Sequence, residues 1–178
     1  MFMSTLGECL LVAMPRLEDK NFHRAVVLLL EHGSHGAMGL TINHPGSMQL
    51  HEALGDSEIP KGIPTWKAGP VEEHRGFVLH NQSEKPFEYE IWPGVYLSSS
   101  QSAIGHMVEE ESQSATKYPY RLLTGYAGWN PGQLDSEIEH GYWCSVPLDA
   151  NLLFNTAARE IWSQCLLKAG ISPEGYVN

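Results

Sequence analysis

The chain has 178 residues with 21 acidic against 11 basic side chains, a net charge of −10, and it is 42% hydrophobic and 18% charged. That length suits a single domain, one able to bury roughly 70% of the surface its unfolded chain exposes, and the composition excludes a disordered polypeptide. The acidic balance, with Lys and Arg scattered singly, disfavours direct binding of nucleic acid and of anionic membranes, both of which depend on clustered positive charge.

Glu8–Met14 reads as a strand ended by Pro15. Ala25–His32 is a near-continuous apolar run, the pattern of a strand covered on both faces. Gly33-Ser34-His35-Gly36 is a turn, and Ala37–Asn43 returns as the second arm of a hairpin. With Gly33–Gly36 as the loop, Val26, Leu28 and Leu30 share a face with Asn43, Thr41 and Gly39. Val27, Leu29 and Glu31 share the other with Ile42, Leu40 and Met38. A short helix is expected over Met48–Leu54, and Gly55–Pro64, with two Pro and two Gly, reads as loop.

Strands follow at Arg75–His80, Tyr96–Ser98, Tyr120–Tyr126 and Tyr142–Val146, with a helix over Ser102–Glu111 capped by Ser99 or Ser100. Asn130-Pro131-Gly132-Gln133 predicts a helix start, with Asn130 as cap, Pro131 in the first turn and Gln133 reaching back to the cap's N–H. Thr156–Ala169 carries Ile161, Trp162, Cys165, Leu166 and Ala169 at helical spacing, with Gly170 placed to end it. Strands and helices alternate irregularly, which predicts a mixed α/β (α+β) fold with helices outside a mixed sheet.

Cys9, Cys144 and Cys165 are odd in number, widely spaced and set in apolar company, so they read as small core residues in a reducing compartment. No apolar run approaches the ~20 residues of a spanning helix, and no signal-peptide pattern opens the chain; a cytoplasmic protein without membrane attachment is expected. The Glu31-His32-Gly33-Ser34-His35 segment lacks metal-ligand spacing, so His32 and His35 read as solvent-facing turn residues, and neither a metal nor a cofactor is expected. Ser98-Ser99-Ser100 has no nucleophile-elbow context and is read as a cap. The glycine-rich Gly125–Gly132 segment resembles an anion-binding strand–bend–helix, but its glycines read more simply as permitting close packing beneath Trp129. Arg75 is a partner either for Glu72 and Glu73 or for a ligand carboxylate.

Several segments together resemble the YqgE/AlgH family: Leu11–Pro15, Phe22 and Arg24, Glu31-His32, Gly36–Leu40, Ile42-Asn43 with Pro45, Gly69-Pro70-Val71, Arg75–His80, Gly125–Trp129, Gly132-Gln133-Leu134 with Glu137-Ile138, and Leu152-Leu153-Phe154. The resemblance implies a bacterial cytosolic protein with a branched, partly barrel-like mixed sheet surrounded by helices. It brings no reaction with it, and the regulator label attached to such proteins implies a role in transcription. Four departures from the family pattern stand out: Leu30 where members often carry Cys, His44 within the usual Asn-Arg-Pro, Ala68-Gly69 in place of a doubled Gly, and Tyr176-Val177-Asn178 at the end in place of the Gly-His-Ala often seen there.

Three functions follow in order. The first is a non-enzymatic regulatory or binding protein that recognises a protein partner or small ligand through a polar patch of Glu31, His32, Asn43, Arg75, His80, Trp129 and Gln133. The second is an enzyme with His32 or His80 beside a carboxylate such as Glu31. The third is a DNA-binding regulator using Arg16, Lys20 and Arg24.

Overall fold

The computed structural model describes residues 6, 9–85, 87–113 and 120–174, without the side chains of 111 and 112; Glu8 and the Tyr176-Val177-Asn178 end lie outside this set. Among the described residues the strands are β1 (Cys9–Ala13), β2 (Val26–Gly33), β3 (Gly36–Thr41), β4 (Pro45–Gln49), β5 (Pro64–Lys67), β6 (Val71–His80), β7 (Tyr89–Trp92), β8 (Val95–Ser98), β9 (Tyr120–Trp129) and β10 (Trp143–Pro147). The helices are α1 (Leu50–Leu54), α2 (Gln101–Gln113), α3 (Gln133–Glu139), α4 (Ala150–Phe154) and α5 (Ala158–Lys168).

One path runs β10-β1-β2-β3-β9-β6-β8-β7, and β5 leaves it as a branch, pairing in parallel with β9 and antiparallel with β4. The branch point is β9, which meets β3 through Ala127–Trp129, β5 through Leu123 and Thr124, and β6 along most of its length. The fold is thus the expected mixed α+β type, a branched sheet curled into a half-barrel with helices around it.

β1 and β2 are buried on both faces, as their unbroken apolar runs predict. On one face Leu10, Val12, Val26 and Leu28 pack with Leu152, Leu153, Ile161, Trp162 and Leu166 of α4 and α5. On the other, Leu11, Ala13, Val27 and Leu29 pack with Trp129, Leu134 and Trp143 beneath α3. A third cluster places Leu50 of α1 and Ile104 and Met107 of α2 against Val78 and Leu122.

The hairpin turns as expected, with Gly33 opposite Gly36 and Glu31 opposite Met38, but its faces do not follow the simple alternation. A bulge at Leu30 shifts the register, so that Leu29 meets Gly39 and Leu28 meets Leu40. One extra residue reverses the in–out phase on one side of the ladder. Leu40 and Ile42 therefore join Val26 and Leu28 in one core, the reverse of the predicted grouping.

Ser100 caps α2, its Oγ accepting the Ala103 N–H at 3.1 Å. α5 ends at Gly170, whose φ of 76° lies in the left-handed region, with Ile171 N–H bonded back to the Leu166 carbonyl. Asn130 is not the cap of α3: that place belongs to Gly132 at φ 73°, although Gln133 does accept the Asn130 N–H at 3.0 Å as anticipated. β4, β5, β7 and α4 carry too few residues and too little periodicity to be read from the sequence, and β4 takes in Met48 and Gln49 from the predicted first helix.

Candidate functional site

The bulge at Leu30 decides which hairpin side chain meets α3. Uninterrupted alternation from Leu29 would bring Glu31 to that face; the extra residue brings His32 instead and leaves Glu31 exposed. His32 is buried, not solvent-facing, with Nε2 3.0 Å from Oδ1 of Asp135 on α3. Beside it, Trp129 and Trp143 both donate their indole N–H to Oε2 of Glu137, at 3.0 and 2.8 Å. Gln133 Nε2 donates to the other carboxylate oxygen at 2.9 Å, and Phe22 stacks on Trp129 with centroids 6.0 Å apart. His32, Trp129 and Gln133 thus converge, and together they seat α3 on the sheet.

The other predicted residues make separate contacts, so the seven do not form one surface patch. His80 is fully buried, stacked 5.6 Å from Tyr96, with Nδ1 accepting the Gln82 N–H at 3.3 Å. Arg75 is half-exposed, 3.5 Å from Glu72 and over the rings of Phe77 and Tyr126, while Glu73 pairs with Lys67 at 3.0 Å. The cysteines behave as core residues: burial pushes the Cys9 thiol up to about 11 and the Cys165 thiol up to about 12. Among the described residues no group of three or more His, Cys, Asp or Glu side chains converges in a way that could hold a metal.

Asn43 leads to an open cleft. Its side-chain oxygen accepts the Val26 N–H at 2.8 Å, and its amide nitrogen donates to the Arg24 carbonyl at 2.9 Å. This clamp holds Arg24 at φ 53°, a conformation disfavoured for any residue with a Cβ. It also fixes one wall of an open cleft of about 290 Å³, lined by His23, Arg24, Asn43 and His44 on the sheet side and by Ala158, Arg159, Trp162 and Ser163 of α5 on the other. Arg24 lies over the Trp162 ring at 5.2 Å, and Trp162 is anchored by its indole N–H to the Ala13 carbonyl at 2.7 Å.

His44 donates Nε2–H to the His23 carbonyl at 3.0 Å, which identifies the protonated nitrogen because a carbonyl only accepts. Burial holds the His44 pKa below the ordinary imidazole value, and neighbouring His23 and Lys67 add to the effect. Of the cleft residues only Asn43 was singled out as a site residue from the sequence. Arg24 and His44 were noted for other reasons, and His23, Arg159 and Ser163 carry no local signal.

Replacing Asn43 with Ala is expected to cost about 2 kcal/mol, because it strands the buried Val26 N–H and removes the hydrogen bond to the Arg24 carbonyl. Urea unfolding monitored by circular dichroism reads the loss, and a midpoint equal to that of the parent protein would show that the clamp is unimportant.

Comparison with known proteins places this architecture in a family. The AlgH-like family model matches residues 10–174, and the chain belongs to that family. A UPF0301 protein of Myxococcus xanthus is 37% identical over 176 residues, covering 96% of this chain and 94% of its own. A UPF0301 protein of Hahella chejuensis is 35% identical over 173 residues, covering 95% and 91%. The solution structure of the AlgH protein from Pseudomonas aeruginosa is similar at a TM-score of 0.73 and 31% identity, over 99% of this chain and 96% of that one. A crystal structure from Corynebacterium diphtheriae shares the fold at a TM-score of 0.66 and 19% identity, over 92% of each chain. Among the described residues no helix is long and apolar enough to cross a membrane.

Proposed function

We propose that this protein is a non-enzymatic, regulatory binding protein of the bacterial cytoplasm, and that it meets its ligand or partner at the cleft between the Arg24–Asn43 clamp and α5. The observation that carries this reading is the cleft itself, an open concavity in which Arg24, Arg159, His23 and His44 gather within a chain of net charge −10. Fixed polar groups around a concave site are what ligand recognition requires.

Two further features support binding over catalysis. His32 is engaged by Asp135, whose side chain reaches solvent, and His80 is packed against Tyr96, so each proposed acid–base histidine already serves a contact within the chain. Glu31, the carboxylate named as an example beside His32 in the enzymatic reading, is exposed, and the carboxylate that His32 meets is Asp135. Direct DNA binding is poorly supported, since Arg16 and Arg24 lie over Tyr142 and Trp162 and the overall charge repels a polyanion.

The test is a pull-down from native bacterial lysate with the parent protein and with Arg159→Glu, whose side chain is 85% exposed and tolerates the change. Mass spectrometry of retained proteins and small molecules should find a species held by the parent, recovered chemically unchanged, and reduced about tenfold on the variant. Equal retention on both proteins would remove the cleft from the account. Conversion of the retained molecule to a product would replace binding with catalysis.

A further inference from the structure

We infer that Arg121, at the start of β9, anchors a second binding site, one that takes the carboxylate of a small, apolar monocarboxylic acid. The site stands apart from the cleft and does not depend on it: Arg121 and the two residues that hold it, Trp66 and Leu153, are not among the cleft's lining residues. Burial is the first argument. Arg121 keeps only 8% of its surface. It points to the same face of β9 as Leu123, and on that face Leu79, Leu97 and Leu123 share a core with Leu152 and Leu153 of α4. A cation in apolar surroundings costs stability unless an anion accompanies it. The chain has 21 Asp and Glu, yet among the described residues none pairs with Arg121. Burial lowers its pKa, and no neighbouring charge contributes in either direction.

The second argument is what the guanidinium has left to offer. Its Nε–H donates to the Leu153 carbonyl at 2.9 Å, and its Cζ lies 4.8 Å from the centroid of the Trp66 ring. These contacts hold the side chain by its Nε edge and against the indole. Neither terminal nitrogen bonds to a described residue, and neither is fully enclosed. The bond to the last turn of α4 uses one of the five guanidinium N–H groups, and the other four remain as a fixed fork without an acceptor.

Shape and charge then select the ligand. A planar fork with its terminal nitrogens unbonded matches the two oxygens of a carboxylate. One guanidinium, with no second cation contributing, balances one negative charge, so a monoanion fits and a phosphate dianion brings one charge too many into apolar surroundings. Trp66 beside the fork is half-buried, as is Phe154, which follows Leu153 in the chain, and both pack against the same core. They offer apolar surface to the body of the acid, the usual complement to a single fixed polar group in a small-molecule site.

The experiment is a ¹H–¹⁵N NMR titration of the full chain with benzoate, benzamide and phenyl phosphate as separate probes. Benzoate should shift the Trp66 indole N–H and the Arg121 Nε–H saturably, benzamide should leave both in place, and phenyl phosphate should bind more weakly than benzoate. Arg121→Lys keeps the charge and loses the fork, and it should weaken benzoate about tenfold. Arg121→Met removes both and should abolish the shift at Trp66. Absence of a saturable benzoate shift, benzamide acting as benzoate does, phenyl phosphate binding more tightly, or undiminished benzoate binding by either variant would each overturn the inference. Should neither variant fold, benzoate against benzamide on the parent protein decides alone.

Discussion

Gly69→Ala is expected to destabilise the protein by about 4 kcal/mol or more, enough to prevent accumulation of folded protein at 37 °C. A Cβ at this position would lie 2.0 Å from the Tyr126 carbonyl carbon, 2.1 Å from its oxygen and 2.3 Å from the Ala127 nitrogen. All three atoms are backbone of β9, so no side-chain rotation relieves the contact and the strand itself must move. β9 is the strand that β3, β5 and β6 share, so its displacement disturbs three pairings at once. Overpacking among mobile side chains costs about 1–3 kcal/mol, and a backbone collision at a branch point exceeds that. Gly105→Ala is the internal control. It lies within α2 with nothing inside 4 Å of the new methyl, and it should stabilise by about 0.5–1 kcal/mol through helix propensity. Urea denaturation of the two variants should therefore move in opposite directions. A Gly69→Ala midpoint within error of the parent would mean that β9 and the β5–β6 connection do not approach as described.

Glu137→Ala should cost about 3 kcal/mol, lowering the melting temperature by roughly 10 °C for a chain of this length. One carboxylate oxygen accepts both the Trp129 and the Trp143 indole N–H, and both rings are buried. Alanine leaves two donors with neither protein nor bulk water to accept them, and the loss of each costs about 1–3 kcal/mol. It also frees Gln133, and with it one tie between α3 and the sheet. Glu137→Gln separates hydrogen bonding from charge: its amide oxygen still accepts both indoles, and only the exposed Gln133 contact is lost, since Gln133 keeps its own oxygen on the Asn130 N–H. That variant should lose less than about 1 kcal/mol. Differential scanning calorimetry of the three proteins checks the order. Equal losses for Ala and Gln would show that the negative charge, not the shared acceptor, holds the two indoles.

Much of the fold was legible because burial on both faces leaves a mark in linear sequence. The apolar runs of β1 and β2, the Ser100 cap of α2 and the helical spacing of Ile161, Trp162, Cys165 and Leu166 are local signals, and each element formed where its signal lay. In the glycine-rich segment Gly125 sits at φ 71°, where an added Cβ would come within 2.4 Å of the Gly69 carbonyl oxygen, so close packing explains that glycine, against Gly69 and not beneath Trp129, while Gly132 has open space around it. The short strands β4, β5 and β7 left no such mark, because a few residues with mixed exposure have no period to read.

The candidate site was legible only in pieces. Residue type grouped His32, Trp129 and Gln133 with Glu31, Asn43, Arg75 and His80; of the seven, only those three lie on or against α3, through Asp135 and Glu137, and the Leu30 bulge chose His32 over Glu31 for the buried position. A bulge is settled by pairing and packing across strands, which leaves no periodic trace in one of them. The cleft depends still more on tertiary structure. His23, Arg24, Asn43 and His44 lie early in the chain and Arg159 and Trp162 near its end, and only the packing of α5 against β1 and β2 makes them neighbours. Residue type therefore set what chemistry was available: abundant histidine, sparse positive charge, buried inert thiols. Long-range contact set which of those groups share a site, because proximity between distant residues is created by folding and is not encoded in their spacing.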